Sequence, residues 1–301
     1  FSWRIIKRFF MAPIQKLWPA AGLLSGAITW GLIWYPARLV ESAGIGGALM
    51  TLITYLTPLG LGALLFAKYF KAFTASPWLL LLIALSSGWA NLGYVLGVIH
   101  GEVMRVLLLF YLAPVWTVVF ARFILGEKLS LAGYAIIATS LAGALLILWQ
   151  SQYVFPLPQN AAEWWGLTAG MMFALTNVLA RLVQATHIYA KSLAVWAGVS
   201  VVALTFLMVQ GQSFQPLVEA SGTTWLLLIG LALLMFVVTI AVQFGLAHLP
   251  ANQAIIIFLS ELVVGAVSSY YLAGEALSLR EWVGGAMILL ATLFSGKLNR
   301  V

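Results

Sequence analysis

LFYLAPVWTVVFARFILGEKLSLAGYAIIATSLAGALLI, residues 109–147, is two apolar runs joined by one short polar turn. Each run is close to the roughly 20 residues needed to cross a bilayer. Gly126 can end the first helix and Ser130 can cap the second, so Gly-Glu-x-x-Ser reads as a tight turn between antiparallel helices. In lipid every backbone amide must be satisfied within its own segment. The runs are therefore helices, and the alternating pattern of a barrel is absent.

The rest of the chain follows the same plan. Its residues are 63% hydrophobic and only 8% charged, with a mean hydropathy of +1.05. A soluble domain carries about a quarter charged residues, so this chain cannot cover a water-facing surface and its solvent is lipid. Apolar runs interrupted by Gly, Pro and charge place spans at 17–36, 46–67, 78–99, 103–123 and 131–149. After a polar connector, 150–162, come 163–184, 190–209, 223–245, 251–272 and 279–297. Residues 1–16 form a basic amphipathic lead-in expected at the membrane surface, and 298–301 a short tail.

Alternate loops differ in charge. One side holds Arg4, Lys7, Arg8, Lys16, Lys68, Lys71, Arg122, Lys128, Arg181, Lys191, Lys297 and Arg300; the other holds Arg38, Arg105 and Arg280. The positive-inside rule puts the first set, and both termini, in the cytoplasm of a bacterial inner-membrane protein. These cations are scattered over short loops, so the net charge of +7 is a topology signal and no nucleic acid is an expected partner. The chain has no cysteine, which removes disulfides, thiolate metal sites and thiol nucleophiles.

The two halves repeat. A shift of 148 pairs Gly97 with Gly245, His100 with His248, Phe110 with Phe258, Gly126-Glu127 with Gly274-Glu275, and Leu129-Ser130-Leu131 with Leu277-Ser278-Leu279. A shift of 143 pairs residues 37–40 (Ala-Arg-Leu-Val) with 180–183. Five spans per half is an odd number, so 17–149 and 163–297 must be inverted relative to each other. The expected fold is all-α integral membrane: ten transmembrane helices as two inverted five-helix repeats around a midplane site.

The opening stretch, with Pro114, Gly126-Glu127, Gly133 and Gly143, resembles the repeat signature of EamA-type members of the drug/metabolite transporter superfamily. The second copy keeps Gly274-Glu275 and Gly284-Gly285 but has Glu261-Leu262 where members often show Glu-Pro. The resemblance implies a ten-helix fold, alternating access, and commonly export of amino acids, metabolites or amphipathic drugs. The solute, a small molecule, and the bilayer are the implied partners.

Glu261 is the most informative side chain. It lies mid-span, where an ionised carboxylate costs roughly 2.5–3.5 kcal/mol or more unless it is paired or faces water. Gln253, Ile257, Glu261, Val264 and Ser268 share its helical face. It is read as a proton carrier or as the counter-charge of a substrate ammonium, against a structural carboxyl bonded to a neighbouring helix. The 163–184 span carries Gly166, Gly170, Phe173, Asn177, Arg181 and Gln184 on one face; 78–99 carries Ala84, Ser87, Gly88, Asn91 and Tyr94. Such faces pack helices or line a pathway. Trp30, Trp89 and Tyr111 lie deep enough to stack on a flat or cationic solute, whereas Trp34, Tyr35 and Trp116 fit an interfacial belt. The expected substrate site is Trp30, Trp89, Asn91, Tyr94, Tyr111, Asn177 and Glu261, with Glu261 as the proton-coupling residue.

Arg105, near a span end, is expected to snorkel to water, with a carboxylate clamp as the alternative. Glu127 and Glu275 read as turn residues. His100, His187 and His248 lack metal-ligand spacing, no metal or cofactor is expected, and no Walker loop, nucleophile elbow or paired carboxylates appear. An intramembrane enzyme would need clustered polar groups within the spans, and only Glu261 clearly qualifies. A channel or exchanger would use the same residues as a carrier.

Overall fold

In a computed structural model of the chain, the described residues are 12–69, 71, 76–101, 103–148, 158–274 and 278–298. They form helices and connecting turns, with no strand among them. In chain order the helices are α1 (Ala12–Leu32), α2 (Trp34–Ser42), α3 (Gly47–Leu65), α4 (Pro77–His100), α5 (Val103–Phe110), α6 (Ala113–Phe120) and α7 (Leu131–Leu148). The second half adds α8 (Ala161–Leu182), α9 (Ile188–Val209), α10 (Gln215–Glu219), α11 (Gly222–His248), α12 (Ala251–Phe258), α13 (Ser260–Ala273) and α14 (Leu279–Phe294).

Among the described residues eight stretches of helix are long and apolar enough to cross a membrane: Leu17–Ser42, Gly47–Leu65, Pro77–Gly97, Arg105–Leu125, Leu131–Leu148, Ile188–Val209, Gly222–His248 and Ala251–Leu272. The other two expected spans coincide with α8, which carries Glu163, Asn177 and Arg181, and α14, which is 16 residues long. The bundle turns large apolar side chains outward: Leu64, Phe123, Leu131, Leu226 and Leu293 are each at least 73% exposed. A soluble surface would not tolerate such a continuous apolar shell; lipid-facing helices require it. Of the expected basic lead-in, residues 12–16 already belong to α1 and 1–11 lie outside the described residues. The same is true of 149–157 in the connector and of Glu275.

Three of the spanning stretches are broken part-way, and the sequence says why. The break at Ile33 lies one turn before Pro36, whose ring displaces the backbone and whose nitrogen cannot donate to the preceding turn. The break at Tyr111-Leu112 lies just before Pro114 for the same reason. The break at Leu259 has no proline; Ser260 Oγ instead donates to the Ile257 carbonyl at 2.6 Å and Leu262 N–H reaches only three residues back, to Leu259. The second and third breaks fall at repeat-equivalent places, immediately after Phe110 and Phe258. The repeat-related turns match too: Gly126 and Gly274 have φ of 69° and 70°, a left-handed conformation that glycine adopts freely. Ser130 caps α7 through the Gly133 N–H, and Ser278 caps α14 in a capping box with Glu281.

The halves interleave. In the first half, α1 packs on α11 and α13, α3 on α9 and α11, α4 on α8 and α9, and α7 on α14. Small residues let these partners close in: Gly143 and Gly284 each lie against the other's backbone carbonyl. Thus a side chain facing the middle of the bundle from one half meets residues of the other.

Candidate functional site

The breaks after Phe110 and Phe258 re-aim the residues that follow them, Tyr111 and Glu261, into the bundle. The Glu261 carboxyl lies beside the Tyr111 hydroxyl, and its charge also acts on the Tyr94 phenol of α4. Tyr111 is 7% exposed, while Glu261 is only partly buried. This one carboxylate therefore has two phenols from the first half beside it.

Around it stands a connected set of aromatic rings. Phe110 packs edge-on against Tyr94 at 5.1 Å and Tyr111 at 5.4 Å between centroids. It also meets Phe173 of α8 at 5.7 Å. Phe173 meets Phe258 at 5.4 Å, and Trp30 of α1 lies against Phe258 at 5.7 Å and edge-on to Phe173 at 6.3 Å. Gly26 makes room for the indole, because a Cβ there would come within 3.0 Å of Trp30 and 2.7 Å of Val242. Trp30 in turn lies close to the Tyr55 hydroxyl of α3. The Tyr55 hydroxyl donates to Asn91 Oδ1 at 3.0 Å, and Asn91 Nδ2 donates to the Ser87 carbonyl at 2.9 Å. The indole of α1 thus sits between the Phe173 and Phe258 rings and the bonded pair Tyr55–Asn91.

Of the expected site residues, Trp30, Asn91, Tyr94, Tyr111 and Glu261 are thus brought into one neighbourhood. Trp89 is not: two residues along a helix is a turn of roughly 200° from Asn91. Its Nε1 donates to Thr168 Oγ1 at 3.0 Å, in the seam between α4 and α8. Asn177 lies 2% exposed on α8 with its Nδ2 unpartnered. It sits one turn after Phe173 and one turn before Arg181, whose guanidinium donates to the Ala247 carbonyl. Sequence reasoning missed Tyr55, Phe110, Phe173 and Phe258. For Phe110 and Phe258 a signal existed, since the repeat pairs them.

Arg105 corrects an expectation. It does not snorkel: it is 7% exposed, and its Nε and Nη2 donate to the two carboxylate oxygens of Glu163 at 2.9 and 2.8 Å. Glu163 also accepts from Gln159 N–H and Asn160 Nδ2. Glu127 is a second correction, since its side chain is more than a turn residue. Its carboxylate accepts from the backbone N–H groups of Ala251 and Asn252 and from Asn252 Nδ2, at 3.0, 3.4 and 2.9 Å. Among the described residues no three His, Cys, Asp or Glu side chains are grouped as a metal site would need.

The chemistry of the neighbourhood is one carboxylate, two phenols and four further aromatic rings, with no lysine or arginine among them. Such a wall suits a flat or cationic group through ring faces and one counter-charge.

Residues 160–296 match the model of the EamA-like transporter family. The second half of the chain is thus similar to EamA-like transporters. The match falls on the second copy of the repeat, and it agrees there with the resemblance read from residues 109–147 of the first. An uncharacterized transporter of Archaeoglobus fulgidus is 24% identical over 208 residues, covering 67% of this chain and 70% of that protein. A solved crystal structure superposes with a TM-score of 0.73 at 15% identity, over 92% of this chain and 96% of the other. That likeness concerns the fold.

Proposed function

We propose that this membrane transporter is a secondary active carrier that works by alternating access. It exports amino acids, related metabolites or amphipathic amines through a site centred on Glu261. In this reading the ten long helical stretches are ten spans, α8 and α14 included, arranged as inverted repeats at 17–149 and 163–297. The Lys- and Arg-rich end, with both termini, faces the cytoplasm of a bacterial inner membrane. Glu261 carries the coupling proton or matches a substrate ammonium. Trp89, seated in the seam between α4 and α8, takes part by setting how these helices move against each other, and Asn177 offers its amide one turn from Phe173.

The observation that carries the proposal is the meeting of Glu261 with Tyr111 and Tyr94 inside the aromatic wall. It joins residues from both halves at the two broken helices, where the backbone of a carrier can hinge. A phosphorylated sugar would call for several buried cations, and this neighbourhood offers none. Competition against a transported tracer in proteoliposomes tests the reading. Tryptophan, threonine and a quaternary ammonium compound are expected to compete, and a triose phosphate is not. Competition by the phosphate alone would refute the assignment.

A further inference from the structure

At the Lys- and Arg-rich end, the turn between α11 and α12 is gripped on both sides by charged groups from other spans. Arg181, at the end of α8, donates to the Ala247 carbonyl in the last turn of α11. Glu127, in the turn before α7, accepts the Ala251 and Asn252 N–H groups at the start of α12. Each charge matches the sign of the helix end it caps: a cation on carbonyls, an anion on amides. Behind this grip Ala121, Val178 and Ala251 form a cluster, all three fully covered. At this end contacts run from Glu127 and Arg181 through that cluster, and Trp30 packs on Phe258 deeper in the bundle.

At the opposite end the arrangement differs. There α13 packs chiefly on α1 and α14, whereas α12 packs on α6 and α8 as well as α1. The repeat supplies the comparison. Arg181 is equivalent to Arg38, and Ala247 to Ile99 in the last turn of α4. Yet Arg38 is exposed, its guanidinium 5.0 Å over the Trp34 ring.

We propose that Arg38 and Arg181 are paired, mutually exclusive latches, one for each end of the carrier. In the state described, Arg181, helped by Glu127, holds the cytoplasmic end closed. In the opposite state Arg181 and Glu127 release the α11–α12 turn. Arg38 then leaves Trp34 and caps the α4 carbonyls near Ile99, closing the outer end. The inference rests on the inverted-repeat carrier reading and adds the residues that set the balance between its two states.

The test uses pulsed-EPR distances in the full chain, reconstituted in nanodiscs without solute. The chain has no cysteine of its own. Spin labels at Gln184→Cys with His248→Cys report the cytoplasmic end, and Ser42→Cys with His100→Cys the outer end; all four positions are exposed. Arg181→Ala, and separately Glu127→Gln, are expected to raise the ratio of inward-open to outward-open molecules by on the order of tenfold, as loss of a charge-assisted hydrogen bond would. Arg38→Ala is expected to lower the same ratio by a similar factor. The double variant Arg38→Ala/Arg181→Ala should return towards the parent ratio. General destabilisation cannot produce opposite signs that cancel. Shifts of the same sign, or no shift for Arg38→Ala, would overturn the paired latch. Because no solute is present, the carrier reading fails separately, by a single distance population at both ends in every variant.

Discussion

The two broken helices, α5–α6 and α12–α13, reach the same backbone shape by different means. In the first, Pro114 removes a donor and forces the ladder apart after Phe110. In the second, Leu262 stands at the equivalent position, and Ser260 loosens the ladder after Phe258 by taking the Ile257 carbonyl for its hydroxyl. The break belongs to the repeat, while the chemistry beside it does not. Tyr111 is equivalent to Leu259, and Glu261 to Ala113. One copy supplies the phenols beside the carboxylate, the other supplies the carboxylate, and both supply rings to the wall around them.

That division of labour can be broken most severely at the charged copy. Replacing Glu261 by Gln should abolish transport driven by a pH gradient in proteoliposomes while solute exchange persists, if the carboxyl carries the proton. If it instead pairs with a substrate ammonium, the same variant should weaken binding itself, read by isothermal titration. Unchanged uptake and unchanged binding would reduce Glu261 to a packing group. At the phenolic copy the expected loss is smaller. Tyr111→Phe keeps the ring on Phe110 and removes only the hydroxyl facing Glu261, so apparent affinity should fall on the order of tenfold, the worth of a hydrogen bond to a charged group. An unaltered affinity would show that the ring alone matters.

The comparison is sharpened by moving the proline. A proline inside an intact helix costs about 3 kcal/mol or more. At Leu262 the ladder is already open and only its bond to Leu259 is lost, so Leu262→Pro should cost about 1 kcal/mol. Thermal unfolding in detergent measures it; a full helix-interior penalty would mean that α12–α13 is broken only weakly.

Much of this was legible in the chain. Apolar run lengths fixed where helices lie, and Gly126 and Gly274 marked turns because each needs a positive φ. Glu261 stood out because a mid-span carboxylate is expensive. The partners of these residues were not legible. Whether Trp89 or Asn91 faces the centre depends on the rotation of α4, which its packing against α8 and α9 decides. Phe173 is one ring among many apolar residues until α8 is docked. Arg105 and Glu163 are 58 residues apart in sequence, so reading span ends one at a time sent Arg105 to water. Glu127 looked like a turn residue because the helix start it caps is 124 residues away.

The central claim is that the neighbourhood of Tyr94, Tyr111 and Glu261 is a solute site shared by both halves and reached from either side of the membrane. The most direct measurement places a single cysteine at Tyr94, in a chain without any other. Impermeant maleimide is then applied to right-side-out and to inside-out vesicles, with and without transported solute. The account predicts labelling from both sides and protection by the solute. Labelling from one side only, or labelling that solute leaves unchanged, would contradict it.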